Sequence, residues 1–97
     1  MVRIGLAAFW LAASHPALGA ERCRIADPTG TPLNVRTAPQ GRVIGTLPNG
    51  FLASILEQST DRFGKSWVYV ADYGSGRPIG WIYRQFCHSA RDLALPE

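Results

Sequence analysis

Two cysteines, Cys23 and Cys87, a histidine beside the second of them, His88, and four aromatic residues at alternate positions, Trp67 and Tyr69, then Trp81 and Tyr83, are the groups whose type and spacing could do chemistry. A thiolate nucleophile needs a base within hydrogen-bond reach. Neighbours along an extended segment point to opposite sides, so Cys87 and His88 make a poor pair. As metal ligands, Cys23, Cys87 and His88 would supply three donors at best, and pairing of the cysteines removes two. An even count placed at the two ends of a small domain is instead the pattern of a structural disulfide, and Cys23 is expected to bond Cys87. The carboxylates Asp61, Asp72 and Asp92 fall in or beside loops, where solvated charge is the commoner role. Gly74, Gly76 and Gly80 flank a loop between two strands and do not open a helix, so they form no phosphate cradle. No catalytic residue, metal or cofactor is expected.

The aromatic residues are more informative once the elements that carry them are drawn. Successive strand side chains alternate sides, so Trp67 and Tyr69 share one face while Val68 and Val70 share the other. Gly80 and Ile82 likewise oppose Trp81 and Tyr83. If these two strands are neighbours, the four rings form one outer cluster. Short runs rich in Val, Ile and aromatics also occur at Leu33 to Pro39, Val43 to Pro48 and Phe51 to Gln58, with a possible opening strand at Arg24 to Ala26. Each is bounded by Gly, Pro, Asn or Asp. Asp27-Pro28-Thr29-Gly30 reads as a tight reversal, and Pro48-Asn49-Gly50 as a two-strand hairpin turn, because Asn-Gly suits the turn that matches strand twist. The polar stretch Ser59 to Ser66 reads as a longer hairpin loop. Five or six short antiparallel strands with tight turns and no long amphipathic helix describe an all-β fold, a small barrel.

The chain has 97 residues, room for one small domain. Residues 1–20 read as a signal peptide: a basic start at Arg3, an apolar run of about ten residues from Ile4 to Ala13, and small residues up to a cleavage site after Ala20. Spanning a bilayer takes ~20 apolar residues, so no stable membrane span is expected. Residues 21–88 are then the folded domain and 89–97 a flexible tail. Cysteine usage agrees with a periplasmic or secreted location. Beyond Ala20 the chain carries nine basic and seven acidic residues with no consecutive basic run, and nucleic acid is not an expected partner.

Leu33-Asn34-Val35-Arg36-Thr37-Ala38-Pro39, the following Val43-Ile44-Gly45-Thr46-Leu47, the Asn-Gly turn, the strand from Trp67 to Val70 and the Gly80-Trp81-Ile82 element together resemble the bacterial Src-homology-3-like (SH3b) family. The resemblance covers Leu33 to Phe86. It implies an SH3-like barrel of two packed sheets and a non-catalytic module of the bacterial envelope. Set beside the eukaryotic relatives of that fold, Trp67 looks like their groove tryptophan, Tyr83 stands at their groove proline and Phe86 at their groove tyrosine. The loop that is acidic in those relatives carries Arg36 and Arg42 here and no carboxylate from Leu33 to Gly45. The ligand-binding residues read from this comparison are Trp67, Tyr69, Tyr83 and Phe86, with Arg36 flanking the rings; Trp67 is taken as an exposed groove ring, the alternative being a buried core ring. The ligand is expected to be acidic or uncharged: cell-wall peptide or glycan, with aromatic faces stacking and arginines holding stem-peptide carboxylates. The competing partner is another envelope protein, docked on a strand edge or on the aromatic face.

Overall fold

The computed structural model describes residues 21–89; the expected signal segment, its cleavage site at Ala20 and the tail from residue 90 lie outside them. Seven antiparallel strands run in chain order: β1 (Glu21–Ile25), β2 (Leu33–Arg36), β3 (Val43–Leu47), β4 (Leu52–Thr60), β5 (Ser66–Asp72), β6 (Pro78–Tyr83) and β7 (Cys87–Ser89). A single 3-10 turn, Arg84–Phe86, links the last two. The strand count exceeds the expected five or six because the residues around each cysteine pair with one another. β1 and β7 align Cys23 with Ser89 and Ile25 with Cys87, so Ser89 belongs to the domain and not to a tail.

The hydrogen-bonded order is β3-β2-β6-β5-β4-β1-β7, an open sheet with β3 and β7 at its edges. One core nevertheless draws on every strand. Ile25, Val35, Leu47, Ile55, Val70, Ile82 and Cys87 belong to a single buried cluster, so the sheet curls around one of its faces. The alternation read from sequence accounts for that face: Val68, Val70 and Ile82 are fully buried on β5 and β6, as is Ala53 on β4 with Ile55 buried beside it, while Leu52 and Leu56 face outward. Between Ile55 and Glu57 the β4–β5 register shifts, and the bulge bends the long strand β4.

Two features set how β2 meets the meander β4–β5–β6. First, Asn49-Gly50 does not join a hairpin, because β3 and β4 are not neighbours. Only Gly50 of the pair has positive φ, so the turn is of type II and lacks the twist that would return β4 onto β3. Its polar groups serve β1 and the first reversal instead. Gly50 N–H donates to the Ile25 carbonyl at 2.7 Å, while the Asn49 side chain accepts from the Asp27 amide and donates to the Thr31 carbonyl. Second, β2 touches β6 at one registered pair, Arg36 opposite Trp81. The neighbouring Gly80 has φ +153°, and a Cβ placed there would lie 2.6 Å from Val35 Cγ1 and 3.0 Å from the Arg36 carbonyl. Only glycine lets the two strands cross this closely.

Candidate functional site

The outer face of β5 and β6 carries the four rings in register: Trp67 opposite Tyr83 and Tyr69 opposite Trp81. Ring centroids lie 4.2 Å apart in the first pair and 5.5 Å in the second. Phe86, on the 3-10 turn, meets the Tyr83 ring edge-on at 6.2 Å.

The structure departs from expectation at Trp67. Its ring is 1% exposed and is no open stacking platform. Burial follows from what crosses over it. Tyr83 covers one side, the Arg36 guanidinium lies 5.9 Å from the ring centroid, and the indole N–H donates to Asp61 Oδ2 at 2.8 Å. The same oxygen accepts from Gln40 Nε2 at 2.9 Å, which ties the β2–β3 loop to the β4–β5 loop. Asp61 Oδ1 accepts the backbone N–H groups of Phe63 and Lys65. Desolvation alone would raise the Asp61 carboxyl, but the hydrogen bonds from Trp67, Gln40, Lys65 and Phe63 outweigh it and hold the group well below the usual carboxylate range. Asp61 is therefore a structural hub where the sequence suggested a solvated charge. Gln40 holds its end of this bridge in a left-handed conformation, φ 67°, at the third position of the Ala38 to Gly41 turn. The sequence did contain a signal for Asp61: an aspartate three residues before a glycine in a hairpin loop is a candidate for bonding its own turn.

Arg36, Tyr83 and Phe86 come together in the structure. They line one cleft of about 160 Å³ with Asp27, Thr31, Pro32, Leu33 and Asn34, between the first reversal and the 3-10 turn. The Arg36 side chain is held in place by donating to the Gly41 carbonyl at 2.8 Å. Trp67 does not line this cleft, but its ring packs against that of Tyr83, which does. Tyr69 is not among the lining residues; it packs with Trp81 farther along the sheet, so the five expected ligand residues divide into three at the cleft, one packed against Tyr83 and one apart. Asp27 was not anticipated there. Its carboxylate Oδ1 accepts from the Thr29 amide and hydroxyl, so it shapes the wall of the cleft.

Cys23 and Cys87 form the expected disulfide, with Cα atoms 5.3 Å apart. Both are buried, and the small side chain of Ala53 faces Cys23 across β1 and β4. Neither sulfur is free to act as nucleophile or ligand. Among the described residues no three of His, Cys, Asp and Glu come together as a metal would require, and no helix is long and apolar enough to cross a membrane. No protein-family model, curated protein or solved structure matches this chain.

Proposed function

We propose that the chain is an exported, non-catalytic Src-homology-3-like module of the bacterial envelope that binds cell-wall material in the cleft between the first reversal and the 3-10 turn. The observation that carries this reading is the convergence there of Arg36 with Tyr83 and Phe86, far along the chain from it, around a concave surface that offers ring faces and one oriented cation beside the Asp27 carboxylate, whose Oδ1 is engaged by Thr29. Half-buried aromatic rings stack on sugar or peptide planes at low entropic cost, and a guanidinium pairs with carboxylates. The buried disulfide suits an oxidising compartment, which supports export.

Sedimentation with purified cell wall tests the proposal. Tyr83→Ala should lower the bound fraction about tenfold or more, as loss of a central aromatic contact does, whereas Tyr69→Ala should leave it near the parent value. Equal losses in the two variants would defeat the assignment of the cleft. A second reading, docking on another envelope protein, draws on a different observation: β3 is an edge strand whose Val43 and Ile44 are 43% and 50% exposed. Parent protein that fails to sediment while Val43→Lys disrupts a specific envelope crosslink would favour that reading.

A further inference from the structure

A second cleft, of about 320 Å³, lies between the β4–β5 loop and the 3-10 turn. It is lined by Gly64, Lys65, Ser66, Arg84 and Gln85. Two cations, a hydroxyl and an amide face it, and among the described residues no carboxylate lines it. Asp61, the acid nearest in sequence to Lys65, has both oxygens engaged by Trp67, Gln40, Phe63 and the Lys65 backbone. Lys65 and Arg84 therefore present positive charge to the cleft with no acid in its walls to answer it.

The fold holds Lys65 through its backbone and Arg84 through its guanidinium. The Lys65 backbone is clasped twice, its N–H donating to Asp61 Oδ1 at 3.0 Å and its carbonyl accepting from the Asp61 amide at 2.9 Å. Its ammonium sits 5.7 Å from the Tyr83 ring centroid. Arg84 Nη1 donates to the Cys87 carbonyl at 2.8 Å, an anchor belonging to the disulfide-bonded strand, which leaves its other N–H groups for a ligand. Donors fixed before a ligand arrives lose little freedom when they bind it.

We infer that the Lys65–Arg84 cleft is a carboxylate-binding subsite, which receives the free carboxylate of an extended peptide whose preceding residues lie across Tyr83 in the cleft of Arg36 and Phe86. The inference rests on the binding role proposed for that first cleft and adds the chemical class of the ligand. Tyr83 links the two clefts: it lines one, and its ring centroid lies 5.7 Å from the ammonium of Lys65, a residue that lines the other. Planar bidentate recognition by Arg84, with Lys65 as a point charge and Ser66 as a neutral donor, suits a carboxylate.

The test uses the disulfide-bonded protein and two defined probes, N-acetyl-alanyl-alanine with a free carboxylate and the same peptide as its amide, followed by backbone amide NMR shifts. The carboxylate peptide should shift Lys65, Ser66, Arg84 and Gln85, the amide peptide should bind about tenfold more weakly, and Lys65→Gln should weaken the carboxylate peptide by a similar factor while leaving the amide peptide unchanged. Lys65→Arg should restore binding. Equal affinity for the two peptides, or shifts confined to Arg36, Tyr83 and Phe86, would overturn the carboxylate subsite and leave the first cleft standing. No shift with either peptide in a protein that still sediments with cell wall would also overturn it, whereas loss of sedimentation as well would remove the binding role itself.

Discussion

Two regions of this domain are secured by different physics. In one, Cys23 and Cys87 join the first and last strands covalently, across a sequence separation of 64 residues. In the other, Asp61 gathers Trp67, Gln40 and the turn from Phe63 to Lys65 through four hydrogen bonds, so one carboxylate holds two loops and a buried ring. The first device acts mainly by limiting the unfolded chain and does not depend on pH near neutrality. The second acts only in the native state and needs a charged carboxylate. A domain with so small a core uses both, and of the two clefts only the one lined by Gly64 and Lys65 borders a loop that Asp61 orders.

The largest effect expected is at the disulfide. Replacing both cysteines by serine should cost about 4 kcal/mol in the chain-entropy model for a loop of this length, and lower the melting temperature by roughly 15 to 30 °C for a domain of this size. The loss should be equal at pH 7 and pH 5 in calorimetry. A strongly pH-dependent loss would erase the distinction between the two regions.

Next comes Trp67. Because the ring is buried, Trp67→Ala should cost about 3 to 5 kcal/mol through the cavity it leaves, measured by denaturant titration. Trp67→Phe keeps most of the ring but removes the indole donor to Asp61, so it should fall between parent and Ala variant. A Trp67→Ala protein of parental stability would show that the ring is not part of the packed structure.

Asp61→Asn sharpens the comparison with the smallest effect. The folded carboxyl is depressed below its ordinary value of 3.8, so between the two values the unfolded chain binds more protons than the native one. Its contribution is therefore present above about pH 4 and is lost as pH falls through and below that point. The asparagine variant should have a shallower decline in melting temperature than the parent below pH 4. Identical acid limbs for parent and variant would deny Asp61 its role.

Much of the fold was legible in the sequence because strand faces follow a local rule. Alternation placed Val68, Val70 and Ile82 inward and grouped Trp67, Tyr69, Trp81 and Tyr83 on the opposite side, and the count and position of the cysteines indicated their pairing. Tyr83 and Phe86 were singled out by resemblance and Arg36 as a cation flanking the rings; the three line one cleft. The neighbour of each strand was harder to read. Asn49-Gly50 has the composition of a hairpin turn, yet one positive φ in place of two, together with the bonds Asn49 makes to the first reversal, sends β4 away from β3.

A period of two determines which side chains share a face, and that much the chain specifies residue by residue. It does not determine what covers the face. Trp67 and Tyr69 are equivalent in that pattern, but β2 crosses β6 at Gly80 and brings Arg36 and the Gln40 loop over the first ring only. That difference in burial comes from contacts between segments far apart in sequence, so only the tertiary structure could decide which aromatic residue became support and which became surface.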